Sequence, residues 1–101
     1  MHIAKSVNGV IIRLLDERWI HIIEEHSEMA GYLFEVLETI QEPLVVFEGN
    51  LRELLAAREI DSGKYLIVVY KEISDSDGFV ITAFLTRRWK QIERRKKIWQ
   101  R

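Results

Sequence analysis

Lys64-Tyr65-Leu66-Ile67-Val68-Val69-Tyr70-Lys71-Glu72 is apolar at so many consecutive positions that an extended chain here is apolar on both faces. It predicts a strand covered on both sides, near the middle of a sheet. Asp61-Ser62-Gly63 provides a turn before it and Ser74-Asp75-Ser76-Asp77-Gly78 a polar hairpin loop after it, leading to a further strand over Phe79 to Thr86. Upstream, Leu51 to Glu59 has good helix formers, but its turn-bounded ends and its neighbours favour a strand. Leu44 to Glu48, ended by Gly49-Asn50, is another. The short connections imply antiparallel neighbours, so residues 44–86 predict a four-stranded antiparallel meander.

The only proline, Pro43, separates this region from a helical one. Leu33, Val36, Leu37 and Ile40 recur at helical spacing with acidic residues between them. A longer helix is predicted from Asp16, which caps the first turn, to an end near Met29 to Gly31. On it Leu15, Trp19, Ile22, Ile23 and His26 form one stripe, while His21 falls among Arg18, Glu24 and Glu25 on the polar side. Asn8-Gly9 signals a turn and residues 10–14 a short strand. The closing segment begins as a helical turn with Trp89 and Ile92 inward. The expected fold class is α+β, with two N-terminal helices packed on a four-stranded antiparallel sheet and a basic C-terminal segment.

At 101 residues, 48% hydrophobic and 31% charged, the chain suits one domain spanning 1–101. There is no cysteine, and the three histidines form no ligand-like cluster, so neither a metal nor a cofactor is expected. Met-His-Ile-Ala-Lys-Ser lacks a signal-peptide core and no apolar run reaches membrane-spanning length, which predicts a cytoplasmic protein without a membrane partner. The net charge of −1 conceals a division at Thr86. Residues 1–86 hold 7 basic and 15 acidic side chains, a net of −8, whereas residues 87–101 hold 8 basic and one acidic, a net of +7. Such a basic end is a surface for phosphates, a solvated tail, or a dock for an acidic partner.

His26 at the rim of an apolar face is the first candidate for chemistry, since surroundings readily tune an imidazole to general acid or base work. Histidines so placed are more often hydrogen-bonded core or rim residues. In the last predicted strand Thr82, Phe84 and Thr86 share one face, a pair of hydroxyls around an aromatic ring. Threonine is also simply a good strand former. Arg58, beside the small Ala56 and Ala57, offers a planar fork for a phosphate. Its structural alternative is an ion pair with Glu48 or Glu59. Lys64, Arg87 and Arg88 are further cationic candidates, with Arg94, Arg95, Lys96 and Lys97 in the basic segment. Histidine, arginine and threonine together match the needs of phosphodiester cleavage without a metal: a base for the 2′-hydroxyl, an acid for the 5′-oxygen and donors around the phosphorane.

Several strings carry a resemblance along nearly the whole chain, from about Leu14 to Trp99. They are Trp19-Ile20-His21-Ile22-Ile23-Glu24-Glu25-His26, Val36-Leu37-Glu38-Thr39-Ile40-Gln41-Glu42-Pro43, Lys64 to Tyr70, Gly78-Phe79-Val80-Ile81-Thr82-Ala83-Phe84 and Lys97-Ile98-Trp99. They resemble the small phage and bacterial proteins grouped with barnase, EndoU, the tRNA-cleaving colicins and RelE in one ribonuclease superfamily. The resemblance implies a helical N-terminal half packed on a four-stranded antiparallel sheet that cleaves RNA without a metal. It implies His26 as the helix histidine, His21 as the second histidine of that motif, Arg58 as the strand arginine and Thr82, with Thr86, as the hydroxyl residues. Glu25 and Ser27 stand beside His26 where arginine and proline are expected in relatives.

The expected function is therefore a metal-independent, toxin-like endoribonuclease. Its partners would be tRNA or ribosome-bound mRNA and a small antitoxin or immunity protein. The alternatives are a non-catalytic RNA- or ribosome-binding module, with Trp89 and Trp99 as stacking groups, and a protein-interaction subunit docking an acidic partner through the basic end.

Overall fold

The computed structural model describes Met1–Arg101. Its elements are β1 (His2–Lys5), β2 (Ile11–Leu14), α1 (Asp16–Glu25), a 3₁₀ turn (Ser27–Met29), α2 (Leu33–Gln41), β3 (Val45–Glu48), β4 (Leu54–Asp61), β5 (Lys64–Glu72), β6 (Gly78–Thr86), α3 (Trp89–Ile92) and β7 (Lys97–Gln100). All seven strands belong to one sheet in the order β1-β2-β6-β5-β4-β3-β7. The pair β2–β6 is parallel and every other pair antiparallel. The expectation of two helices on a four-stranded antiparallel sheet is thus overturned: this is a seven-stranded mixed sheet with three short helices, and most of its ordered residues lie in strands.

Each added strand has a local cause. The Asn8-Gly9 turn closes a hairpin, with Gly9 at φ 81° and the Gly9 N–H donating to Ser6 O at 2.9 Å. This places His2 opposite Leu14, so β1 exists as the partner of β2. Glu72 ties the hairpin to the end of β5 by accepting from Ser6 Oγ at 2.6 Å and Asn8 Nδ2 at 3.0 Å. Gly78, which reads in sequence as the end of a loop, is the residue that pairs with Ile12. A Cβ there would meet the Lys71 carbonyl and come within 2.6 Å of Ile12 Cδ1, so glycine is what lets β2 approach β6. Arg13 clamps the same junction with a bidentate bond to Asp77, 2.7 and 3.1 Å. At the other edge Trp99 sits opposite Val46 and packs into the core, drawing β7 onto β3.

The helix expected over residues 16–29 is shorter. Leu15 occupies the N-cap position without a side-chain bond, and Asp16 is the first helical residue, 3.5 Å from both the terminal amine and His2 Nε2. The helix ends at Glu25, where His26 turns to φ −133°, ψ 77° and a 3₁₀ turn follows. His26 is consequently the C-cap residue rather than a member of the helical stripe. The last segment starts helically at Trp89, but only for four residues.

Helices α1 and α2 cover one sheet face, packing Ile22, Val36 and Ile40 on Val46, Ala56, Leu66, Val68 and Tyr70. The opposite, outer face has its own core of Val45, Phe47, Leu55, Ala57 and Ile67, partly roofed by Trp89 and Ile92 of α3. Cover on both faces is what makes β5 apolar throughout. At roughly 1.5–3 kcal/mol for each large buried side chain, these two layers hold the sheet together. No helix is long and apolar enough to cross a membrane.

Candidate active site on the outer sheet face

The register of β5 and β6 decides which candidates meet. Tyr65 lies opposite Thr86, Ile67 opposite Phe84 and Val69 opposite Thr82, while a bulge between Val69 and Tyr70 carries Val80 to the helix side. Ile67 and Phe84 belong to the outer core. By alternation, Thr82, Phe84 and Thr86 all face outward.

Strand β2 reaches only as far as Phe79, so the rest of β6 has no strand on that side. Helix α1 and the 3₁₀ turn pack there instead. This brings the His26 ring 6.0 Å from that of Phe84, centroid to centroid, tilted by 37°. The imidazole is 36% exposed and makes no side-chain hydrogen bond; its Nδ1 is 3.8 Å from Glu28 Oε2. Nε2 has no hydrogen-bond or ion-pair partner within the chain. His21 is exposed on the far side of α1, paired with Glu25 at 3.0 Å, and does not join His26.

The two threonines differ. Thr86 Oγ1 accepts from the Arg88 N–H at 3.0 Å and so caps the turn out of β6. Thr82 Oγ1 is enclosed without any partner, an unmade bond worth about 1–3 kcal/mol.

Arg58 does not join this group. It pairs with Leu66, a helix-side residue, and its Nη1 stands 2.8 Å from Glu38 Oε1 on α2. The contact is an ion pair whose N–H is poorly aligned on the oxygen, since Nη1 is enclosed without a satisfied hydrogen bond. The expected strand-arginine position is corrected on this point: parity puts Arg58 and Thr82 on opposite faces, and its acidic partner is neither Glu48 nor Glu59. Lys64 also alternates away from Tyr65, at the hairpin opposite Asp61.

The arginine that does approach Phe84 is Arg95. It lines, with Asn50 and the acidic Glu53, a hollow of about 290 Å³ floored by Leu55, Val69, Phe84 and Ile92. Arg95 Nη1 is 3.5 Å from Asn50 Oδ1. The loop behind it is tightly built: Gly49 leaves no Cβ where the Glu53 carboxylate folds back, Leu51 N–H donates to Glu53 Oε1 at 2.9 Å, and Arg52 is held at φ 70°. Arg94, Lys96 and Lys97 are exposed beyond it along the β7 edge.

Further along the outer face Trp89 stacks on Tyr65 at 4.0 Å and 15°, and meets Phe47 edge-on at 5.7 Å. Loss of solvent, then Glu59 and Glu93, pushes the Tyr65 phenol upward, so it stays protonated. Sequence gave no reason to single out Tyr65, Asn50 or, above its neighbours, Arg95. For Tyr65 the available signal was its parity with Ile67 and Val69.

The fold also sorts charge. Asp16, Glu17, Glu24, Glu25, Glu35, Glu38 and Glu42 lie on the helical layer or its borders, whereas the outer face is mixed, with Arg87, Arg88, Lys90 and Arg95 beside Glu53, Glu59 and Glu93. Comparison with protein-family models, with curated proteins and with solved structures finds no match for this chain.

Proposed function

We propose that the chain is a metal-independent endoribonuclease of the toxin-like kind implied by the resemblance, acting at the β6 edge of the outer face. The observation that carries this reading is the placement of the His26 imidazole against Phe84, on the face that Arg87, Arg88, Lys90 and Arg95 flank. Phe84 offers an apolar surface for a ribose or base, and Arg95 borders the same hollow.

In this scheme neutral His26 accepts the 2′-hydroxyl proton through Nε2 as the 2′-oxygen attacks phosphorus. The bond from phosphorus to the 5′-oxygen breaks, and the imidazolium returns the proton to that oxygen. The products are a 2′,3′-cyclic phosphate and a 5′-hydroxyl end. Arg95 takes the role expected of Arg58, holding the charge that spreads over the phosphoryl oxygens. Thr82 orients the strand surface beneath. Every step uses side chains alone, so the reaction proceeds in EDTA.

The test is incubation of the folded protein with total tRNA and with ribosome-bound mRNA in EDTA, reading product ends. Cyclic phosphate ends support the proposal and name the substrate. Intact RNA in both, from folded protein, would overturn the proposal and leave the second reading, a non-catalytic RNA-binding module using the exposed Arg94, Lys96 and Lys97.

A further inference from the structure

We infer that the outer face holds a second nucleotide subsite, formed by the stacked Tyr65 and Trp89 with Arg87, Arg88 and Lys90, which takes a base and phosphate of single-stranded RNA next to the reacting nucleotide. This deepens, and rests on, the ribonuclease reading of the Phe84 site. The register supplies the spacing. Tyr65 opposite Thr86 is one same-face step from Ile67 opposite Phe84, about 6.7 Å along the strands. A substrate seated at Phe84 and continuing along β6 therefore arrives at Trp89.

The surface there is shaped and charged for such a strand. The Tyr65–Trp89 pair and the three cations border a hollow of about 560 Å³, beginning at Gly63. Arg87 spends one N–H on Ser62 O at 3.2 Å, held at the edge of the hollow. The Arg88 and Lys90 side chains are exposed and make no hydrogen bond or ion pair within the chain. Glu59 and Glu93, which act on the Tyr65 phenol, are the opposing charges. At 4.0 Å each ring of the Tyr65–Trp89 pair covers one face of the other, so an unpaired base stacks on the outward face of the pair while its phosphate meets Arg88 and Lys90, and neither contact needs a given sequence. Bases within a duplex already have both faces covered. An acidic peptide would meet the charges but has no flat ring for the aromatic pair.

The experiment uses full-length His26→Ala protein and a 2′-deoxy hexanucleotide, which cannot be cleaved, with tryptophan fluorescence as the readout. Saturable quenching is expected, absent in the added Trp89→Phe variant, which keeps a ring on Phe47 while assigning the signal among three tryptophans. Adding Trp89→Leu is expected to weaken binding about tenfold. Arg88→Gln with Lys90→Gln, both on the surface, should flatten the log–log salt dependence by about 1.4. The inference is overturned if the oligonucleotide fails to quench Trp89, if the double Gln variant binds unchanged, or if duplex RNA or a glutamate-rich peptide competes equally well. Cleavage by the wild type together with such a result would retain the ribonuclease reading and remove the subsite. Quenching as expected without any cleavage would do the reverse.

Discussion

The imidazole of His26 and the ring of Phe84 lie 6.0 Å apart, centroid to centroid, joining the end of α1 to the middle of β6. Phe84 is also half-buried in the outer core. Phe84→Leu keeps most of that burial and is expected to lower stability by no more than about 1.5 kcal/mol. Cleavage should fall well beyond that, through loss of the surface against which His26 and the substrate are set. Denaturant midpoints and single-turnover rates on one preparation separate the two effects.

Thr82→Val exchanges an enclosed, unpartnered hydroxyl for a methyl of similar shape. Stability should hold or rise by up to about 1 kcal/mol, because a buried polar group without a partner is removed. A fall in cleavage accompanying unchanged or higher stability would mark the hydroxyl as positioning the site. Equal activity would leave Thr82 as a strand former only.

Tyr70 presents the same situation away from the site. Its ring is fully buried and its hydroxyl unpartnered, and burial, then Glu72, pushes its ionisation far upward. Tyr70→Phe is expected to leave the thermal midpoint unchanged or raise it, and to leave RNA cleavage untouched. A loss above about 1 kcal/mol would mean that the hydroxyl is bonded in solution.

The β2–β6 junction gives a pH-dependent prediction. The Arg13 guanidinium, chiefly through its hydrogen bond, holds the Asp77 carboxyl below its ordinary value of 3.8. A lowered folded-state value means that ionised Asp77 stabilises the fold above the unfolded value and loses this as pH falls through the folded one. The stability curves of wild type and Asp77→Asn should therefore differ near neutrality and converge below about pH 4. High salt should narrow the difference, since both side chains are partly exposed.

Gly78→Ala tests the packing that admits β2. The new methyl would crowd the Lys71 carbonyl and Ile12 Cδ1, at an expected loss of about 1–3 kcal/mol. Amide exchange should rise first in β1 and β2, while β4 and β5 stay protected.

Local pattern made some of this legible and long-range pairing hid the rest. Strands β3 to β6 carry their own turn signals and apolar runs, and two-residue alternation alone relates Thr82, Phe84 and Thr86. Strands β1 and β7 are four residues long, and each is defined by a partner: β1 by its hairpin with β2, β7 by Trp99 reaching Val46 across the chain. Gly78 looks like a turn residue because nothing near it in sequence reveals Ile12. His26 continues the helical spacing of Trp19 and Ile22, yet the helix stops one residue earlier and a different geometry brings the ring to the sheet. For Arg58, parity within β4 could be read, but not which face the helices would cover, and that is what separates it from Thr82.

The most direct measurement compares wild type, His26→Ala and Arg58→Met in single-turnover cleavage of the same RNA in EDTA, with folding checked for each. The account predicts cyclic phosphate products from the wild type, a fall of about 10²-fold or more for His26→Ala, and a rate within a few-fold of wild type for Arg58→Met. Cleavage that survives His26→Ala, or that is abolished by Arg58→Met in a folded protein, would contradict an active site on the outer face.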